Sequence, residues 1–159
     1  MRKEPPTFRS LEDRLRTRVA RKRGNVFLRA DFRDLGGYDQ VGRALRALVR
    51  KGHLLPAGYG LYARARPSTL DGALRPTAGI KDLATEALGR LGIETAPTLL
   101  EQEYGDGKTT QVPNGRVIGV RGRVRRQIFY NGQPLAYERA APPTRSDAAG
   151  PETSRPGTH

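Results

Sequence analysis

The stretch that decides the fold of this chain runs from residue 24 to residue 62 and reads GNVFLRADFRDLGGYDQVGRALRALVRKGHLLPAGYGLY. Its centre, Tyr38 to Lys51, carries apolar residues at helical spacing, which predicts an amphipathic helix ending before Gly52. The apolar face comprises Val41, Ala44, Leu45, Leu48 and Val49. We expect Arg50 and Lys51 to interact favourably with the negative end of the helix dipole.

Two shorter helices are predicted before this one. The first covers Leu11 to about Lys22, with Ser10 as its N-cap and Gly24 as its end. The second, Ala30 to Leu35, is a single short helix. The pair Gly36-Gly37 is expected to adopt the left-handed conformation that ends that helix and begins the turn.

A β-hairpin is predicted directly after the amphipathic helix. His53-Leu54-Leu55 and Leu61-Tyr62-Ala63 are short strand patterns, and the five residues from Pro56 to Gly60 form the loop between them. Three helices followed by such a hairpin predict a winged helix-turn-helix, in which the third helix recognises DNA and the hairpin is the wing.

The charge of the chain is strongly positive and unevenly distributed. The 159 residues have a formal net charge of +13. Residues 1–66 contain 17 Lys and Arg against 6 Asp and Glu, whereas residues 67–159 contain 12 against 10. Because a positive field attracts polyanions, the N-terminal part is the predicted nucleic-acid-binding part.

The outward face of the helix at 38–51 supplies the candidates for reading bases. Arginine pairs with guanine and glutamine with adenine in the major groove. The predicted DNA contacts on this helix are Tyr38, Gln40, Arg43, Ala47 and Arg50, with Arg46 at the margin of the polar face. The alternative is a solvated helix face with no ligand.

Further basic residues are predicted to contact the phosphate backbone. Arg64 and Arg66 follow the hairpin directly, and Arg21, Lys22 and Arg23 end the first helix. Such contacts give salt-dependent affinity without sequence information. For the second group, stabilisation of a helix C-terminus by cations is an equally good explanation.

The rest of the chain predicts a second unit and a tail, so the fold class is α+β. We expect a winged-helix domain at 8–66, a small α+β domain at 70–139 and a disordered tail at 141–159. Residues 67–77 are the predicted linker. The second domain should contain a helix from Ile80 to Leu91 and a small antiparallel sheet whose strands are Thr110–Val112, Arg116–Val120, Gln127–Tyr130 and Pro134–Glu138.

The role of one basic cluster in the second unit is left open by the sequence. Arg121, Arg123, Arg125 and Arg126 would bring three arginines to one face of a strand. The cluster is either a further nucleic-acid surface, a docking face for an acidic partner, or a strand edge protected by charge.

The residues argue against catalysis, metal binding and export. Gly107-Lys108-Thr109 lacks the earlier glycine of a phosphate loop, since Gln102 stands there. The chain has no cysteine, and its two histidines, His53 and His159, form no metal or catalytic set. We therefore expect a non-enzymatic cytoplasmic protein with no cofactor, no metal and no membrane segment.

Two segments resemble a known family. The pairs Asp31-Phe32 and Leu35-Gly36, the run Leu48–Gly52 and the triplet Gly60-Leu61-Tyr62 resemble the N-terminal domain of AbiEi-type antitoxins of type IV toxin–antitoxin systems. Thr109-Thr110-Gln111-Val112-Pro113 is similar to a segment of shorter members of that family. The resemblance implies binding to the promoter of the protein's own operon, repression, and antagonism of a nucleotidyltransferase-like toxin. The second unit is much smaller than the toxin-facing part of full-length members.

The leading expectation is thus a DNA-binding regulator, with double-stranded DNA and a toxin protein as partners. Two alternatives remain open at the level of sequence. The first is a protein-interaction module that binds a toxin without specific DNA recognition, and the second is an RNA-binding protein. The oligomeric state is left undetermined.

Overall fold

A computed structural model describes residues 10–140 as a mixed α+β fold. The predicted tail at 141–159 and the first residues of the predicted domain at 8–66 lie outside the described residues. Four α-helices, one short 3-10 helix and nine short strands make up the described part of the chain.

The first helix, α1, spans Leu11–Arg21 and confirms the sequence expectation to within one residue. The Asp13 amide donates a hydrogen bond to the Ser10 hydroxyl oxygen at 3.2 Å, as expected for an N-cap. Leu15 and Val19 are buried. Gly24 follows with a φ of +96°, a conformation that favours glycine.

The predicted short helix at 30–35 is confirmed only in part, and its bounds are wrong. Strand β1, Val26–Leu28, is followed by a single 3-10 helix, Arg29–Phe32, and then by turns. The carboxylate of Asp31 accepts a hydrogen bond from the Leu28 amide at 2.9 Å. This local cap closes a tight turn, and too few residues remain before the next helix for an α-helix to develop.

The expected left-handed glycine pair is also wrong. Neither Gly36 nor Gly37 has a positive φ. Gly37 has a φ of −67° and a ψ of 160°, and it is the N-cap of the next helix, α2, which spans Tyr38–Arg50. Its amide donates to the Gln40 side-chain oxygen at 3.4 Å. Gly52 ends the segment after α2 with a φ of +82°, as expected.

A β-hairpin follows α2, with a shorter loop than predicted. Strand β2 spans Leu54–Gly58 and strand β3 spans Leu61–Pro67, and the two are antiparallel. Gly58 pairs with Leu61, so the turn contains only Tyr59 and Gly60. The predicted five-residue loop was too long because a register irregularity between Pro56 and Gly58 lets the strand continue.

The predicted linker is instead part of the sheet. Strand β4, Leu74–Pro76, pairs antiparallel with the far end of β3, so that Ala65 lies opposite Pro76. β3 also pairs with β1, which gives the strand order β1-β3-β2 with β4 beside β3. Proline is tolerated in β4 because the strand lies at an edge.

Beyond the sheet, the chain forms two helices and five short strands. Helix α3 spans Ile80–Arg90, and Gly92 follows with a φ of +79°, in agreement with the sequence expectation. The remaining elements are β5 at Thr95–Ala96, α4 at Leu99–Gly105, β6 at Val117–Val120, β7 at Phe129–Tyr130, β8 at Gln133–Pro134 and β9 at Ala136–Arg139.

The small sheet in this region differs from the prediction in its pairing. β6 is antiparallel to β5 but parallel to β9. Thr110–Val112 is not a strand. A hairpin turn at Asn131-Gly132 joins β7 to β8, and both of its residues have positive φ. The prediction that β6 and β9 are antiparallel is wrong. The β7–β8 hairpin lies in the connection between them, so β9 can run in the same direction as β6.

Two hydrophobic cores lie on opposite faces of the first sheet. Alternate residues of β3 face opposite ways, and Tyr62 joins the core of α1 and α2 while Leu61 and Ala63 join the core of α3. Phe27 and Val26 divide in the same manner on β1. The sheet therefore belongs to both predicted domains, and α2 and the hairpin are held on a base that includes α3.

Candidate nucleic-acid interface

The outward face of α2 carries three exposed arginines at helical spacing. Arg43, Arg46 and Arg50 are separated by three and four residues, so they form a row along one side of the helix. Val41, Leu45 and Leu48 are buried on the other side. Because the buried face is fixed by the core, the direction of the arginine row is fixed as well.

Ala47 does not belong to this exposed face. It is only 9% exposed. Helix α2 packs against α1, the 3-10 helix and β2, so its buried arc is wider than a single stripe and includes Gly42 and Ala44 as well. The prediction that Ala47 projects outward is therefore wrong, whereas Gln40 and Tyr38 are exposed as expected.

The arginine row has no carboxylate partner among the described residues. The ion pairs of the described residues are Arg18–Asp34, Lys22–Asp31, Lys51–Glu12, Arg75–Asp71, Lys81–Glu101, Arg90–Asp31 and Arg121–Glu94. Within residues 10–140, Arg43, Arg46 and Arg50 join none of these pairs. Like charges three or four residues apart destabilise a helix by about 0.2–0.5 kcal/mol per pair. Repulsion within the row therefore opposes folding slightly.

The turn of the hairpin lies against the first turn of α2. The hydroxyl oxygens of Tyr38 and Tyr59 are 3.4 Å apart. Both rings are largely solvent-accessible, with Tyr38 61% and Tyr59 79% exposed. The hydrogen bond with Tyr38 raises the pKa of the Tyr59 hydroxyl, while the nearby cations Arg29 and Arg126 act in the opposite direction. The hairpin turn and the start of α2 thus form one exposed aromatic and basic surface.

Sequence reasoning missed Tyr59 and Arg29 as members of this surface. The sequence predicts Tyr59 within a five-residue loop, whereas in the structure it lies in the two-residue hairpin turn and is exposed. The Arg29 guanidinium carbon lies 4.2 Å from the centre of the Tyr38 ring, which is a cation–π arrangement. Its backbone amide donates to the Gly60 carbonyl at 3.0 Å. No periodic signal in the sequence marks this contact between distant residues.

Arg64 has a structural role rather than an exposed one. Its Nη2 donates to the Lys22 carbonyl at 2.7 Å and to the Gly24 carbonyl at 3.1 Å. Its guanidinium also lies 5.1 Å from the centre of the Phe27 ring. Arg64 thereby ties β3 to the end of α1, whereas Arg66, two residues further along the strand, is exposed.

The basic triplet that ends α1 is divided in the same way. Arg21 and Arg23 are exposed. Lys22 is half-buried, and its Nζ lies 2.8 Å from a carboxylate oxygen of Asp31. Burial opposes the charged form of Asp31, but hydrogen bonds from Lys22, the Leu28 amide and Arg90 outweigh it and hold the pKa of Asp31 below its ordinary value.

The second basic cluster lies on a loop, not on a strand. Residues 121–128 connect β6 to β7, and Arg121, Arg123, Arg125 and Arg126 are all exposed. The expected alternation of their side chains on a strand is therefore wrong. The loop approaches the hairpin, since a Cβ atom at Gly58 would lie 2.7 Å from the Gln127 carbonyl oxygen. The Arg121–Arg126 loop thus adjoins the surface around Tyr59.

The described part of the chain has neither a metal-binding cluster nor a membrane-spanning helix. Within residues 10–140, no three His, Cys, Asp or Glu side chains are grouped so that they can hold a metal ion. No helix in that range has the length and apolar character needed to cross a membrane.

Comparison of this chain with protein-family models, with curated proteins and with solved structures finds no match. The resemblance to AbiEi-type antitoxins therefore stays a prediction from residues 24–62 and 109–113.

Proposed function

We propose that this protein is a non-enzymatic regulator that binds double-stranded DNA through a winged helix-turn-helix, with α2 as the recognition helix and the β2–β3 hairpin as the wing. The observation that carries the proposal is the row Arg43, Arg46 and Arg50, which is exposed, directed by a buried opposite face and without carboxylate partners among the described residues. An α-helix fits the major groove, and arginine is the residue most often used there to recognise guanine.

The residues divide by role in this proposal. Arg43, Arg46 and Arg50 read base edges, and each good bidentate pair contributes about 1–3 kcal/mol of discrimination. Gln40 offers only its side-chain NH2, since its oxygen accepts a hydrogen bond from the Gly37 amide. Arg66, Arg21 and Arg23 are exposed and contact phosphates. Arg64 and Lys22 are left out of the contact set because they already have internal partners.

The biological setting follows from the resemblance alone. In this part of the proposal the protein binds upstream of its own gene, represses its own operon and antagonises a nucleotidyltransferase-like toxin. A cytoplasmic location accompanies that setting.

A protein-interaction role is the second candidate, and one observation favours it. Six large apolar side chains of the second unit are exposed, namely Leu70, Leu74, Leu99, Tyr104, Val112 and Val117, at 94%, 39%, 62%, 46%, 66% and 41%. Apolar surface of this kind is typical of protein partners rather than of nucleic acid. The two candidates use different parts of the chain, so both can be tested on the same protein.

The test is fluorescence anisotropy on purified Arg43→Ala and Arg50→Ala variants, with a duplex from upstream of the gene and a scrambled duplex of equal length. We expect each variant to lose about five- to a hundredfold of its preference for the upstream duplex. Lys108→Ala is the matched control, since it removes one exposed charge in the turn after α4. Equal loss of affinity in all three variants would contradict base recognition by α2.

Competition with a duplex RNA of the same sequence distinguishes DNA binding from RNA binding. Winged-helix recognition of the DNA major groove predicts little competition, since the major groove of A-form RNA is too deep and narrow for a helix. Stronger binding of the RNA would replace the DNA proposal with an RNA-binding one.

A further inference from the structure

A pocket of about 300 Å³ opens beside the start of α2, next to the exposed surface formed by Tyr38 and Tyr59. Its lining residues are Arg29, Ala30, Arg33, Gly36, Tyr38 and Val41. Two of the six are arginines and one is an aromatic residue. The volume is at the lower end of the range for small-ligand sites.

The cations of this pocket are free of carboxylate partners. Neither Arg29 nor Arg33 takes part in an ion pair with another described residue, because the nearby Asp31 and Asp34 are paired with Lys22, Arg90 and Arg18 instead. Among the described residues, therefore, no carboxylate pairs with the two positive charges of the pocket.

The position of Arg29 is fixed by its neighbours. Its guanidinium stacks on the Tyr38 ring at 4.2 Å and crosses α2 at Gly42, where a Cβ atom would lie 2.9 Å from Nη2. Its Nε is buried and has no hydrogen-bond partner within the described residues. A buried donor without an acceptor is uncommon in folded proteins, so the hydrogen-bonding capacity of the Arg29 guanidinium is not filled by the described residues.

We infer that this pocket is a phosphate-binding site, in which Arg29 and Arg33 hold the phosphate oxygens and Tyr38 forms one wall. Planar guanidinium groups match phosphate oxygens with paired hydrogen bonds, and arginine is preferred for that purpose. A phosphate group can reach the pocket from the DNA backbone or from a small phosphorylated ligand. The first form rests on the proposed function, whereas the second does not.

Two variants test the pocket without removing the fold. Arg33→Ala removes one exposed charge. Gly42→Ala keeps every charge but displaces the Arg29 guanidinium, and alanine is the better helix former at an interior position. Gly89→Ala in α3 is the matched control, since a Cβ atom there meets nothing within 4 Å.

The free-ligand form is measured by thermal unfolding in inorganic phosphate against chloride at equal ionic strength. If the pocket binds free phosphate, phosphate raises Tm of the wild type and of Gly89→Ala, and this gain is lost in Arg33→Ala and Gly42→Ala. Ligand that binds only the native state stabilises it by mass action, so the gain should grow with phosphate concentration.

The DNA form is measured with upstream duplexes that carry one neutral methylphosphonate at successive backbone positions. If the pocket binds a backbone phosphate, one position weakens wild-type binding by about tenfold and has no further effect in Arg33→Ala or Gly42→Ala. If the protein binds no duplex but phosphate still raises its Tm, the proposed function is rejected and the phosphate-binding pocket is retained. No phosphate effect on Tm and no coupled backbone position would overturn the inference.

Discussion

Arginine takes several roles among the described residues, and its neighbours decide which one applies. Arg64 donates to two backbone carbonyls and packs on Phe27, so it is part of the fold. Arg43 lies on an exposed helix face without a carboxylate partner in the described residues, so its charge is available to a ligand. Arg29 stacks on Tyr38 at the edge of a pocket. Sequence position alone did not separate these roles.

The roles of Arg64 and Arg66 can be separated by substitution. Arg64→Ala leaves the Lys22 and Gly24 carbonyls without their donor and should lower the free energy of unfolding by about 1–3 kcal/mol. Arg66→Ala should change that free energy by no more than about 0.5 kcal/mol. Urea unfolding followed by circular dichroism measures both. Equal stability of the two variants would contradict the structural role of Arg64.

Arg66 has a further expected effect on binding. If it contacts a phosphate, Arg66→Ala should weaken all duplexes alike and reduce the slope of log affinity against log salt by about 0.9. Anisotropy titrations at three salt concentrations give the slope. An unchanged slope would remove Arg66 from the phosphate contacts.

Asp31 should make stability depend on acidic pH. Its pKa is lower in the folded protein than in the unfolded chain, so its stabilising effect is fully present above about pH 4. The effect is then lost as the pH falls through the folded pKa. Asp31→Asn should remove this part of the acid dependence, which urea midpoints between pH 2 and pH 6 would show. An identical acid dependence in wild type and variant would contradict the assignment.

At the scale of elements, the hairpin and the Arg121–Arg126 loop are tied by close backbone packing. A side chain at Gly58 would meet the Gln127 carbonyl oxygen at 2.7 Å, and neither backbone can move cheaply. Gly58→Ala should therefore destabilise the protein by about 1–3 kcal/mol. Gly89→Ala is the control and should be neutral or stabilising. Urea midpoints compare the two, and equal values would contradict the packing.

The elements that the sequence predicted correctly are those defined by local pattern. Helices α1, α2 and α3 follow from apolar spacing and from glycines with positive φ after their ends. Strand β4 and the parallel β6–β9 pair depend on partners distant in sequence, so no local pattern marked them. Helix α4 was missed although its cap is readable, since the Thr98 hydroxyl accepts a hydrogen bond from the Glu101 amide at 3.1 Å.

In the candidate site, too, the sequence predicted the features that depend on local pattern and missed those that depend on tertiary packing. Exposure of Arg43, Arg46 and Arg50 follows from helical periodicity, which is a local property. Burial of Ala47 depends on how many elements α2 packs against. The approach of Tyr59 to Tyr38 depends on hairpin length, which the irregularity in β2 changed.

At the scale of the whole molecule, the first sheet is shared by two cores. Leu83 and Leu88 of α3 are fully buried in the same core as Leu61 and Ala63 of β3. A change in α3 should therefore weaken the base on which the hairpin and α2 rest. The predicted boundary near residue 70 separates stretches of sequence but does not separate these packed side chains.

Leu88→Ala tests this coupling. Truncation of a fully buried leucine should lower the free energy of unfolding by about 2–5 kcal/mol. Because the core is shared, unfolding followed by far-ultraviolet circular dichroism and by tyrosine fluorescence should give one coincident transition. Two separate transitions, of which Leu88→Ala shifts only the earlier one, would show that the two regions unfold independently.

The central claim is that α2 recognises a DNA sequence, and one titration tests it most directly. Anisotropy of wild-type protein is measured against the duplex upstream of its own gene and against a scrambled duplex, each at low and at physiological salt. If α2 recognises a DNA sequence, the protein should prefer the upstream duplex by at least about a thousandfold, and this preference should persist at the higher salt concentration. Equal affinity for both duplexes, lost together as salt rises, would show non-specific charge binding and contradict the claim.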